Sequence, residues 1–105
     1  ERTVIWYENE DGEGTFSEGV AISDDRESSA GSVAVADLDG DGFPDVVVAF
    51  NWIDTVAWYR NTDGLGSFSL GVDIATDADG VWVVKCADID GDGDFDIISV
   101  SSTDG

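Results

Sequence analysis

Two stretches of this chain concentrate oxygen ligands at a fixed spacing. They are DLDGDGFPD, Asp37 to Asp45, and DIDGDGDFD, Asp88 to Asp96. Each places acids at positions 1, 3, 5 and 9 and glycine at position 6, which matches the spacing of a calcium loop. Calcium is a hard cation that takes six to eight oxygens, and alternate residues of a tight loop can aim their carboxylates at one centre. Gly42 and Gly93 permit the sharp turn. Position 7, Phe43 or Asp94, would contribute its main-chain carbonyl, so its side chain is free to vary as it does here. A merely solvated acidic turn would scatter its acids instead of repeating one spacing. Oxygen-only donors favour calcium over zinc, and magnesium prefers fewer carboxylates and more retained water. These are not EF-hands. Position 12, which needs a bidentate Glu there, is Val48 in one loop and Ser99 in the other, and the flanks are β-prone.

The elements that must position these loops are repeated too. TVIWYENEDGEGTFSEGVAISDD (3–25) aligns with TVAWYRNTDGLGSFSLGVDIATD (55–77) at an offset of 52, with 14 of 23 residues identical. VAVADLDGDGFPDVVV (33–48) aligns with VKCADIDGDGDFDIIS (84–99) at an offset of 51. One unit reads as four β-prone segments, SVAVAD, VVVAF, TVAWYRN and FSLGVDIA, each bounded by Gly, Asp or Asn. The unbroken runs VVVAF and VWVV predict strands buried on both faces. Four short antiparallel strands per unit of this length is the pattern of a propeller blade; a parallel β-solenoid is the alternative, but it uses shorter repeats without hairpin turns. The fold class expected is therefore all-β, two tandem four-stranded antiparallel propeller-type blades in the phase half, full, half. Residues 1–31 would hold the last two strands of one blade, 32–76 a complete blade, and 77–105 the first two strands of the next. The end SVSSTDG, followed by the start ERTVIWY, reads like the internal junction VVVAFNWIDTVAWY, as one period of a longer or self-joining array would. A chain that opens on Glu1 is expected to be processed or an excerpt.

On VADLDGDGFPDVVVA, ADIDGDGDFDIIS, TVIWYEN and TVAWYRN, the chain resembles the FG-GAP/VCBS family of repeats, whose members build blades of calcium-stapled β-propellers. The resemblance covers nearly all 105 residues. It implies Asp37, Asp39, Asp41 and Asp45 as ligands of one calcium ion and Asp88, Asp90, Asp92 and Asp96 as ligands of a second. Two such ions would bring the formal charge from −20 to −16. These repeats serve adhesion, enzyme-accessory and structural roles alike.

Composition removes several function classes. With 24 acidic residues, 4 basic ones and no His, the chain lacks the basic footprint of a nucleic-acid binder and would be repelled by anionic membranes. It also lacks the commonest general base. At 42% hydrophobic residues it is too apolar for a disordered acidic tail. Cys86 allows no internal disulfide and sits in an apolar run, as a small buried hydrophobe would. Regular spacing of the carboxylates fits a cation better than glycoside hydrolysis, so no enzyme activity is expected. Trp6–Tyr7 and Trp58–Tyr59, with Phe16 and Phe68, recur at one phase and read as packing between blades. Trp52 stands opposite Thr103 in the repeat and is the candidate contact for a protein or glycan. No Asn-x-Ser/Thr sequon exists, and the Ser-rich clusters at 27–29 and 99–103 are candidate sites for O-linked sugars. Calcium near millimolar fills such loops outside cells, which points to an extracellular setting. The reading that follows is a calcium-stabilised structural scaffold that joins copies of itself or adjacent repeats head to tail. The alternatives are a ligand-binding propeller segment or an accessory domain of a secreted enzyme.

Overall fold

In the computed structural model, residues 4–22 and 30–101 are described. The candidate sugar cluster at 27–29, Thr103 and both chain ends lie outside them. Among the described residues there is no helix, so none is long and apolar enough to cross a membrane. The strands are β1 (Ile5–Trp6), β2 (Val20–Ala21), β3 (Ala30–Ala36), β4 (Asp45–Phe50), β5 (Thr55–Tyr59), β6 (Val72–Ala75), β7 (Val81–Ala87) and β8 (Asp96–Ser101). They form a two-stranded sheet β1–β2, a four-stranded sheet β3–β4–β5–β6, and a second two-stranded sheet β7–β8. Every pairing is antiparallel between neighbours in sequence, as short Gly- and Asp-rich connections dictate.

β4 is the central element, and every one of its residues is buried. Side chains alternate across a strand, so its two sets of apolar residues feed two separate cores. Val46, Val48 and Phe50 join Ala57 and Tyr59 on one face, and Val4, Ile22 and Phe68 pack against them. Val47 and Ala49 join Val56 on the other face, where they meet Val81 and Val84 of β7, with Trp58 and Cys86 partly buried alongside. The recurring aromatics divide accordingly, Tyr59 toward the β1–β2 side and Trp58 toward β7. Trp6 lies across the β5–β6 turn against Gly66, where any β-carbon would meet its indole.

One expectation is corrected. VWVV is not buried on both faces: Val81 and Val84 are buried, whereas Trp82 is exposed. The reason is that β7 is covered on one side only, by β3 and β4. Apolar composition alone does not distinguish a strand with two covered faces from one awaiting a second.

The units are coupled at the turn between β4 and β5. Asp54 adopts a left-handed conformation with φ of 51°. Its carbonyl accepts the Ala78 N–H at 2.9 Å and its Oδ1 accepts the Gly80 N–H at 2.9 Å, which fixes the entry to β7. Asp and Asn tolerate this conformation better than other non-glycine residues.

Candidate metal loops

The acidic stretches form the connections β3–β4 and β7–β8. In the first, the carboxylate oxygens of Asp37, Asp39, Asp41 and Asp45 lie within 4.8 Å of one another; in the second, those of Asp88, Asp90, Asp92 and Asp96 do the same. The side chains of Phe43 and Asp94 are not in these groups.

The chain holds the carboxylates from below with its own N–H groups. Asp37 accepts from Gly40 at 2.9 Å, Asp41 at 3.2 Å and Gly42 at 2.8 Å. Asp41 Oδ1 accepts from Phe43 at 2.9 Å. Asp45 Oδ2 accepts from Leu38 at 3.0 Å, closing the loop on itself. The second loop repeats this wiring: Asp88 accepts from Asp92 and Gly93, Asp92 from Asp94, and Asp96 from Ile89. Such bonds order the carboxylate side chains from the main chain. Gly42 and Gly93 make the turn through conformation and not clearance. Their φ values are 87° and 92°, and a β-carbon at either would meet nothing within 4 Å.

Crowded carboxylates act on one another. The Phe43 N–H lowers the pKa of Asp41, but desolvation and the neighbouring Asp39 and Asp37 outweigh it, and the net result is a rise. Asp39 is raised by desolvation yet falls overall, through hydrogen bonds from Asp41 and the nearby Arg60 guanidinium. Asp88 is lowered, chiefly by the Gly93 N–H. A divalent cation at this point would relieve the repulsion.

Arg60 is the residue at the first loop that sequence reasoning missed. Its Nε lies 2.6 Å from Asp39 Oδ2, and its Nη2 lies 3.8 Å from Asp41 Oδ2. A signal was present: Arg60 is one of only 4 basic residues and stands where the repeat has Glu8. No equivalent cation sits on the second loop among the described ion pairs.

The β5–β6 turn shows which part of the motif is only architecture. Asp63 Oδ1 accepts from Leu65 at 2.7 Å and Ser67 at 3.3 Å, and Asn61 Oδ1 accepts from Gly64 at 3.0 Å. An Asp-Gly-x-Gly turn therefore forms here without a cluster of acids. What distinguishes the β3–β4 and β7–β8 loops is Asp at positions 1, 5 and 9, where this turn has Asn61, Leu65 and Ser69. Position 9 also anchors the sheet, since Asp45 is fully buried. Trp52, by contrast, stands 77% exposed on the β4–β5 turn, with no carboxylate cluster around it.

The donor set is all oxygen and convergent, which fits a calcium ion in chemistry. No curated protein and no solved structure matches the chain. A profile of the FG-GAP-like repeat matches residues 1–48 and again residues 37–99. These two matches overlap across the first acidic loop and together take in every strand from β1 to β7 and most of β8. The chain belongs to the FG-GAP-like repeat family.

Proposed function

We propose that this chain is a non-catalytic, extracellular building block of a β-propeller or extended β-repeat array, stiffened by two calcium ions. Asp37, Asp39, Asp41 and Asp45 would hold one ion and Asp88, Asp90, Asp92 and Asp96 the other, with residues 43 and 94 giving main-chain carbonyls. The observation that carries this reading is the pair of four-carboxylate groups, each drawn within 4.8 Å on a loop that joins two strands. Bound calcium supplies charge neutralisation there, and the loop residues supply a pre-wired frame that ties β3 to β4 and β7 to β8. Because the ion binds only the folded loop, its binding energy becomes folding energy, about 2.7 kcal/mol per site at a hundredfold excess over Kd.

Calorimetry with calcium and with chelator tests the reading. Calcium is expected to raise the melting temperature and to titrate with a stoichiometry of two, and Asp39→Ala or Asp90→Ala to remove one site each. An unchanged melt in excess chelator overturns it. A second reading, a segment that contacts a protein or glycan, draws on exposed Trp52 alone; loss of partner capture in Trp52→Ala would favour it.

A further inference from the structure

Among the described residues, Asp is followed directly by Gly at Asp11, Asp39, Asp41, Asp63, Asp79, Asp90 and Asp92. At such a pair the main chain can rearrange by itself. The glycine nitrogen attacks Cγ of the preceding carboxyl group, an N–C bond forms, and the carboxyl hydroxyl leaves with the amide proton as water. Water then opens the succinimide ring at either carbonyl. One opening restores aspartate, and the other leaves an isoaspartyl link with one more backbone atom. Atoms balance with no added reagent. Glycine favours the step because no β-carbon obstructs the approach of its nitrogen.

The nitrogen must first give up its proton, so what that N–H donates to decides which pair reacts. Gly40 and Gly42 donate to Asp37, at 2.9 Å and 2.8 Å. Gly93 donates to Asp88 Oδ2 at 2.8 Å, and the Gly91 N–H acts on the same carboxylate. Gly80 donates to Asp54 Oδ1 at 2.9 Å, and Gly64 to Asn61 Oδ1 at 3.0 Å. Each bond holds its peptide plane and must break before the nitrogen can turn on the neighbouring carboxyl. Where the acceptor is a carboxylate, its charge also opposes loss of the proton. Gly12 differs: among the described residues its N–H meets no acceptor. We propose that Asp11–Gly12 is the site at which this chain isomerises its own backbone, and that the amide bonds at the other Asp-Gly pairs protect them. Open space does not select the site, because Gly40, Gly42, Gly91 and Gly93 are as open as Gly12.

Asp63 isolates the cause, since its turn is the repeat of the Asp11 turn. The two carboxylates are held alike. Asp11 Oδ1 accepts Glu13 at 2.8 Å and Thr15 at 3.2 Å, and Asp63 Oδ1 accepts Leu65 at 2.7 Å and Ser67 at 3.3 Å. The turns also close alike, from the Glu10 N–H to Thr15 and from the Thr62 N–H to Ser67. The asparagine that opens each turn is what differs. Asn61 Oδ1 takes the Gly64 N–H, whereas Asn9 Oδ1 takes the Gly14 N–H at 3.2 Å. Thr62 Oγ1 also donates to the Ser67 carbonyl at 3.0 Å, a bond for which Glu10 in the equivalent place has no hydroxyl. Every bond compared here is made inside its own turn.

Asp11 and Gly12 are both exposed, so water reaches the ring that they form. The isoaspartyl product carries a free α-carboxylate, the group that an isoaspartate-directed carboxyl methyltransferase takes as substrate. It lengthens the turn between Asn9 and Phe16, which pair across it, and takes the Asp11 carboxylate from the Glu13 and Thr15 N–H groups. Neither the Asp11 turn nor the Asp63 turn includes an acidic loop, so the assignment is independent of the calcium reading.

Ageing the 105-residue chain in mildly acidic buffer with chelator, followed by peptide mapping with electron-based fragmentation, reads isoaspartate at each position. In the folded chain Asp11 is expected to isomerise about fivefold faster than Asp63, the ratio that one net hydrogen bond supplies. In urea the two are expected to run at similar rates, because both aspartates precede glycine. Asn61→Ala is expected to bring Asp63 up to the rate of Asp11, and Asn9→Ala to leave Asp11 unchanged, with a cooperative melt checking that each variant folds. The wild-type comparison stands whether or not a variant folds. Equal rates at Asp11 and Asp63 in the folded wild type overturn the assignment. A ratio that persists unchanged in urea overturns it too, since the turn would then play no part. An unchanged Asp63 rate in a folded Asn61→Ala chain overturns the protective bond.

Discussion

Asp45 Oδ1 accepts the Asn61 N–H at 2.8 Å, and this bond links the first residue of β4 to the exit from β5. The same carboxylate holds Leu38 through its other oxygen, so one side chain fastens the loop, the inner hairpin and the third strand. Among the described residues, Asp96 makes the loop bond alone.

The difference has a measurable consequence. Asp45→Ala leaves two N–H groups without their acceptor at a fully buried position, and is expected to cost about 3 kcal/mol even in chelator. Asp96→Ala removes one bond at a half-buried position and is expected to cost about 1 kcal/mol. Urea unfolding of both variants in chelator separates this structural role from any loss of metal.

Arg60 pairs with Asp39 and lies near Asp41, and it is expected to compete with a cation for both. Arg60→Gln is expected to tighten calcium binding at the first loop about fivefold, because a half-exposed ion pair of this kind is worth roughly 1 kcal/mol. It should also lower the melting temperature slightly in chelator. Titration calorimetry on an Asp90→Ala background isolates the first loop, and unchanged affinity there would show that Arg60 does not compete.

Gly66 carries two constraints, a φ of 94° and the indole of Trp6 against its α-carbon, while Gly12 has a φ of 71° and open space around it. Gly12→Ala should therefore show conformational strain alone, about 1 kcal/mol. Gly66→Ala should cost at least twice that and shift the tryptophan emission as Trp6 is displaced. Equal costs and an unchanged spectrum would mean that Trp6 does not rest on this turn.

Acid is expected to loosen the hairpin turns before the cores. The Leu65 N–H, with Ser67, holds Asp63 below its ordinary pKa, and Thr15 and Glu13 do the same for Asp11. A depressed folded value contributes stability that is present above the ordinary carboxyl pKa and is lost as pH falls through the folded one. Carboxyl titration by NMR should place Asp63 and Asp11 below 3.8, and Asp63→Asn should flatten the melting temperature over that acid range.

Most strands were legible because Val-rich segments lie between Gly- and Asp-rich turns, and a repeat read twice corrects accidents in either copy. The convergence of Asp37, Asp39, Asp41 and Asp45 was legible for the same reason: spacing in a tight loop is local geometry. Trp82 was misread because burial of a strand's second face depends on what packs there, which a run of apolar residues does not encode. Arg60 was missed because its partner Asp39 sits on the β3–β4 loop, brought beside the end of β5 only by strand pairing, and such pairing leaves no local pattern. The left-handed turn at Gly64 and Gly66 uses the same letters as the acidic loops, so the glycines mark a turn and only the added acids mark a site.

The bare face of β8 bears on how the chain keeps apart from itself in solution. Asp96–Ser101 is a short β-strand that pairs with β7 alone among the described residues and carries exposed Ile98 and Val100, the composition that nucleates sticking between strands. The acids immediately before it, Asp88 to Asp96, act as gatekeepers, and the formal charge of −20 adds a general repulsion. A divalent cation in that loop would cancel part of this repulsion, so the chain is expected to be less soluble with calcium than in chelator.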